Sequence, residues 1–230
     1  MDTIGKSQKK KNAVATVLMI ILFTILAILI VLPIYAIFMA SFHPGNFLLQ
    51  YGLNLDPDFA HMTLSNYVLL FTGDHDYWIW FGNSLILTVL TVVLTLLISS
   101  FVAYGFAAYD FKGKNFFFVI VLIILSIPFE VIMLPLYKQI STWGLMDSYV
   151  AVVLPFLAHA STIFFFRQYL LGLPKSLIEA GRIDGATEYG IFFKLIVPIM
   201  KPAFSAMAIL NGMNAWNNYC LLYTSPSPRD

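Results

Sequence analysis

Residues 83–108 read NSLILTVLTVVLTLLISSFVAYGFAA, and no charged side chain interrupts them. A helix needs about 20 mostly apolar residues to cross ~30 Å of hydrocarbon. Lipid offers the backbone no water, so a run of this kind is read as a helix that satisfies its own N–H and C=O groups. Four further stretches meet the same criterion: residues 13–41, which contain Pro33; 115–140, with Pro128 and Pro135; 149–171, with Pro155; and 202 to about 223. The expected fold is all-α, a polytopic transmembrane helical bundle with five spans.

Composition points the same way. Of 230 residues, 60% are hydrophobic and 11% charged, whereas soluble domains carry about 25% charged residues. A soluble core has no room for so much apolar side chain, so the solvent is membrane lipid. The run 13–41 is too long for the core of a cleaved signal peptide and is read as a retained span.

Orientation follows the basic residues. If the spans alternate, Lys6, Lys9, Lys10, Lys11, Lys112 and Lys114 share one side with Arg167, Lys175, Arg182, Lys194 and Lys201; only Lys138 and Arg229 fall opposite. Basic residues stay cytoplasmic, which places the N-terminal tail, residues 1–12, inside. The outer loop, residues 42–82, carries Asp56, Asp58, Asp74 and Asp76 and no Lys or Arg. Its turn and helix-start signals (Pro44-Gly45, Asp56-Pro57, Thr63 to Asn66, Gly73-Asp74) predict a folded rather than disordered segment.

Several function classes lose support. No basic run interleaved with aromatics offers a nucleic-acid surface. The single Cys220 excludes an internal disulfide framework, and His43, His61, His75 and His159 lack metal-ligand spacing. No metal or other cofactor is expected. A membrane protease would need paired Asp, Ser-His or His-Glu-x-x-His within spans; only His159 lies in one, so no catalytic residue is assigned. An ion-coupled transporter would want paired intramembrane carboxylates or an inverted repeat, and only Glu130 is available. Glu130 has two readings: a lining group of a translocation pathway, or a carboxylate near the outer interface that meets water. Arg167, near the inner end of the fourth span, reads as a snorkelling anchor.

The inner loop, residues 172–202, is patterned. Ser176 stands three residues before Glu179, the spacing of a capping box, and predicts a short helix over 177–184 that ends at Gly185. A second helix restarts at Ala186 or Thr187 and is closed by Pro198 and Pro202. Small residues allow a close approach, while Glu179, Asp184 and Arg182 offer charge. Pattern alone supports either a docking element for a partner or a loop that packs on the ends of its own bundle.

The string Glu179-Ala180-Gly181-Arg182-Ile183-Asp184-Gly185-Ala186, continued by Ile196-Val197-Pro198 and Lys201-Pro202, resembles the "EAA" loop of the permease subunits of ABC importers. It departs from that pattern at Gly181, where the family usually has a second Ala. Met133-Leu134-Pro135-Leu136-Tyr137, Leu154-Pro155, Phe166-Arg167-Gln168, Ser41-Phe42, Pro44-Gly45-Asn46-Phe47 and Asn83-Ser84 are similar to the carbohydrate branch, the second permease of maltose-type systems. The resemblance implies a permease domain over 13–223 in a bacterial inner (plasma) membrane, moving a sugar or oligosaccharide. An importer of another solute, such as polyamine, sulfate or phosphate, remains the alternative. Ser176 to Gly185 would be the coupling helix, with Ser176, Glu179, Ala180, Gly181, Asp184, Gly185, Ala186 and Pro198 as coupling residues and Glu179 pairing with a basic group of the ATPase. The chain has no G-x-x-x-x-G-K-[ST] sequence, so ATP hydrolysis falls to a partner ATPase subunit. A second permease subunit and an external solute-binding protein are further implied partners, the latter docking on loop 42–82. The resemblance also implies a sixth span, missing here, and residues 224–230, Thr-Ser-Pro-Ser-Pro-Arg-Asp, are expected to be a non-native tail.

Overall fold

The computed structural model describes residues 2–45, 59, 61–73, 77–146 and 148–218. Every element among them is helical. The expectations for Asp56, Asp58, Asp74, Asp76, Cys220 and the terminal residues 219–230 lie outside the described residues. The chain forms two compact units, Met1–Tyr77 and Trp78–Asp230.

In the first unit, α1 (Asp2–Ala40) continues the expected first span back through residues 2–12, which were expected as a tail, and runs unbroken past Pro33. Its apolar part, Ala15–Ala40, has a mean hydropathy of 3.3, and Leu18, Ile30 and Ile37 stand more than half exposed, as suits a lipid-facing helix. The predicted helix-start signal at Thr63 to Asn66 produces α2 (Ser65–Thr72). Asn66 fastens α2 to the end of α1: its carboxamide donates to the carbonyls of Ser41 (3.0 Å) and His43 (2.8 Å). The Tyr67 and Ser41 hydroxyls share a further bond of 2.7 Å.

The second unit starts with α3 (Tyr77–Ala108), a single long apolar helix that begins before the expected Asn83. The expected third span is broken. α4 (Lys114–Leu125) and α5 (Phe129–Thr142) meet at 101°. Pro128 causes the break: it lacks an N–H and pushes the residue before it out of the helical region, and it stands in extended conformation at the start of α5. At 1.5 Å per residue neither half reaches ~30 Å alone. Pro135, inside α5, breaks nothing. The fourth span is also bent, by 42°, between α6 (Tyr149–Val153, extended by the 3₁₀ turn Leu154–Phe156) and α7 (Ala160–Leu171). Among the described residues two helices are thus long and apolar enough to cross a membrane, or up to five when each bent pair counts as one.

The connector between the fourth and fifth expected spans consists of α8 (Ser176–Ile183), α9 (Glu188–Ile191), a π-helical turn over Phe192–Ile196 and α10 (Val197–Ile199); α11 (Lys201–Trp216) follows at 76°. Two expectations need correction. The capping box does not form: Leu177 N–H already donates to the Pro174 carbonyl, so the helical turn begins early and Ser176 lies inside it. Pro198 and Pro202 do not close the helix; each sits in the first turn of the next one, where a missing N–H costs little. The wide turn explains how Pro198 is tolerated. In a regular α-helix its ring would strike the Lys194 carbonyl; here Val197 N–H reaches back five residues to Phe192.

This connector is part of the core. Ile191, Phe192, Ile196 and Met200 are at most 1% exposed, packed among Ala103 and Tyr104 of α3, Phe166 and Leu170 of α7, and Ala203 and Met207 of α11. Phe192 stacks on Phe101 at 4.4 Å and tilts against Tyr104 at 5.2 Å. Phe192→Ala is expected to cost ~3–5 kcal/mol, lowering the thermal midpoint of the detergent-solubilised protein, while Lys194→Ala, on the exposed side of the same turn, leaves it unchanged.

The predicted glycine stop is present. Gly185 has φ +75°, Gly185 N–H donates to Arg182 and Ala186 N–H to Gly181, the paired bonds of a Schellman end. A side chain in this left-handed conformation costs ~1–2 kcal/mol. Gly185→Ala is therefore expected to speed hydrogen exchange of the Gly185–Ala186 turn roughly tenfold, with the amides of α3 unaffected.

Candidate functional site

α8 presents two faces. The inner face rests on α9 through Gly181, where a Cβ would stand 3.0 Å from Ile191 Cγ1 and 3.3 Å from its Cδ1. The small residue serves an approach within the chain, because Ile191 fills the space above it. On the outer face Ser176, Glu179, Ala180, Asp184, Gly185 and Ala186 are all exposed. Ile183 is 85% exposed and Tyr189 73% exposed, and the carboxylates of Glu179 and Asp184 make no ion pair among the described residues. Pro198 is exposed further along, away from that face in sequence.

The third charge of α8 is engaged. Arg182 Nε donates to Glu188 Oε1 at 2.7 Å and Nη2 to Oε2 at 3.4 Å. Glu188 also accepts from the hydroxyls of Tyr109 (2.5 Å) and Tyr104 (3.4 Å), and the Arg182 guanidinium lies 5.6 Å from the Tyr109 ring centre. Glu188 holds the Arg182 proton still more tightly than usual by accepting its hydrogen bond. Burial, followed by the bond to Glu188, raises the Tyr109 hydroxyl. One carboxylate thus joins α8, α9 and the C-terminal end of α3. Glu188 and both tyrosines escaped the sequence reading; the signal was weak, since Tyr109 lies 79 residues from Glu188. Thr187, read as a helix start, caps α9 by accepting from Gly190 N–H at 3.1 Å.

Arg167 does not snorkel freely. Its guanidinium lies 3.8 Å from the Phe118 ring centre, and its Nε is buried without a hydrogen-bond partner. Glu130 occupies the first turn of α5, exposed, just after the break.

A cavity of about 310 Å³ opens between α3, the start of α5, α6 with its 3₁₀ turn, and α11, and Glu130 is not among its lining residues. Ser84, Thr88, Thr91 and Thr95 form one stripe of α3 along it, at the spacing of a helix face. The stripe is present in the sequence, but uncharged hydroxyls spaced through an apolar run give no signal that sets them apart from ordinary helix surface. Asn211 and Asn214 of α11 face it, with Phe129, Phe156 and Trp216 as aromatic walls. Thr95 donates to the Phe156 carbonyl at 2.8 Å, and Asn211 donates to Thr162 at 3.1 Å. His159, also lining the cavity, bonds Ser161 through Nδ1 at 2.8 Å. Among the described residues no group of three or more His, Cys, Asp or Glu could hold a metal ion.

Comparison with known proteins gives this geometry a setting. The model for binding-protein-dependent transport system inner membrane components matches residues 96–225, a span that includes the whole connector. An arabinooligosaccharides transport system permease protein of Halalkalibacterium halodurans is 49% identical over 212 residues, 92% of this chain and 76% of its own length. Its counterpart in Bacillus subtilis is 51% identical over 197 residues, 86% and 70% of the two chains. A chain in the crystal structure of a bacterial ABC transporter involved in import of the acidic polysaccharide alginate superposes with a TM-score of 0.78 at 25% identity, over 90% of this chain and 72% of that one. The expectation drawn from the EAA-like loop is met: the chain belongs to the binding-protein-dependent transport system inner membrane components, the membrane-spanning permease subunits of ABC importers.

Proposed function

We propose that this chain is the permease subunit of an importer for a sugar or oligosaccharide, seated in a bacterial inner membrane with its N-terminus cytoplasmic. An external binding protein delivers the cargo, a second permease completes the pathway, and a separate ATPase drives it. The cargo class rests on the near half identity to arabinooligosaccharide permeases. The observation that carries the coupling role is the division of α8 into an anchored inner face and an unpaired acidic outer face.

In this reading Glu179 and Asp184 meet basic groups of the ATPase, and the exposed Ile183 fills an apolar site beside them. When the ATPase closes, force on α8 passes through Gly181 to Ile191, and from Phe192 to Phe101 and Tyr104 of α3. Arg182 and Glu188 keep α8 from sliding over α9 under that load. An importer of another solute would use the same connector, so the loop does not choose the cargo.

Two results follow for the assembled complex. Glu179→Lys is expected to weaken ATPase association and to cut sugar uptake at least ~10-fold, about 1.4 kcal/mol of lost coupling, with the thermal midpoint of the permease unchanged; normal uptake would show that α8 does not dock as described. Glu188→Gln together with Tyr109→Phe is expected to leave the ATPase subunits bound while more ATP is hydrolysed per sugar imported, measured in proteoliposomes.

A further inference from the structure

The cavity between α3 and α11 suggests which cargo the subunit accepts. Hydroxyls in membrane helices commonly bond back to a carbonyl one turn earlier, as Ser100 does to Leu97 at 2.8 Å. Thr88 and Thr91 make no such bond and have no other side-chain partner among the described residues, and the same holds for Asn214. Thr91 is only 7% exposed, so its hydroxyl is set inside the protein rather than in lipid. Three groups, each able both to donate and to accept, therefore converge on a space walled by the rings of Phe156 and Trp216. Apolar walls with a few convergent polar groups are the usual form of a ligand site.

Among the described residues the lining contains no Lys, Arg, Asp or Glu, and His159, its titratable group, is engaged by the Ser161 hydroxyl. An anion entering such a cavity would shed water and gain no counter-charge. A neutral ligand rich in hydroxyl groups meets the opposite conditions, since each hydroxyl can exchange both roles with a threonine or an asparagine, and its C–H faces can rest on the aromatic walls. At about 310 Å³ the cavity takes a short segment rather than a long chain.

We propose that Thr88, Thr91 and Asn214 form a binding site within this subunit for a neutral saccharide segment, and that the absence of charge in the lining excludes uronate and phosphorylated sugars. The inference rests on the sugar-importer reading above and adds the position of the site and its selectivity by charge.

The test uses the full chain, purified in detergent, and two probes: arabinotriose, which is neutral, and a tri-uronate of similar size. With Trp78, Trp80 and Trp143 replaced by Phe, Trp216 fluorescence reports binding. Arabinotriose is expected to bind and the tri-uronate not to. Thr91→Val and Asn214→Leu are each expected to weaken arabinotriose about tenfold, with unchanged thermal midpoints. Thr88→Lys is expected to admit the tri-uronate. Equal binding of both probes by the protein with its cavity residues unchanged overturns the proposal, as does unchanged arabinotriose affinity in Thr91→Val and Asn214→Leu. If neither probe binds while the assembled complex imports arabinotriose, the site is wrong and the importer reading stands. If the cavity binds arabinotriose and the complex imports no sugar, the importer reading fails and the site stands.

Discussion

The burial of Phe192 in the inner core is the constraint on which the other features depend. A loop between two membrane spans would ordinarily be a flexible tether. Here Ile191, Phe192, Ile196 and Met200 are removed from solvent between α3, α7 and α11, and the aromatic ring stacks directly on a residue of α3. Leaving the core would expose all four side chains, each worth ~1.5–3 kcal/mol when buried. The connector therefore moves with the helices it touches, as an element that passes force must. The π turn serves the same end: it widens the backbone ahead of Pro198 so that Phe192 and Ile196 both face inward.

Around that anchor the polar contacts act as guides. The Arg182–Glu188 pair is about 40% exposed on both sides, so solvent screens it and its contribution to stability is small. Its effect is on geometry, since the carboxylate that holds Arg182 also accepts from Tyr104 and Tyr109. With Arg182 engaged, Glu179 and Asp184 leave α8 with a negative outer surface. The two ends of the unit thus carry different chemistry: unpaired carboxylates on the connector, and uncharged hydroxyls and carboxamides along the cavity.

Much of this was legible in the sequence, for reasons that can be named. The long apolar runs gave the helices because lipid permits little else. Gly185 and Thr187 were readable because a left-handed stop and a side-chain cap are local chemistry, set by one or two residues. What depended on distant contacts was not readable. Pro33, Pro128 and Pro135 look alike on paper, yet of the three only Pro128 breaks its helix, where the chain turns by 101°. The capping box at Ser176 failed because Pro174 starts the turn earlier. The small residue Gly181 fitted a close approach either by a partner or by the chain's own bundle, and Ile191 of the same chain stands over it. Glu130 drew attention as an intramembrane charge, while the hydroxyl stripe Ser84–Thr88–Thr91–Thr95 passed as ordinary helix surface.

The central claim is that the connector and the C-terminal end of α3 form one rigid piece. Spin labels at two exposed positions, Lys194 on the connector and Lys112 just beyond α3, test it by pulsed electron resonance in the assembled complex, with Cys220 replaced by Ser. The account predicts one narrow distance distribution, the same with and without bound ATP. A distribution that shifts or broadens when ATP binds would show the connector moving over α3, and would contradict it.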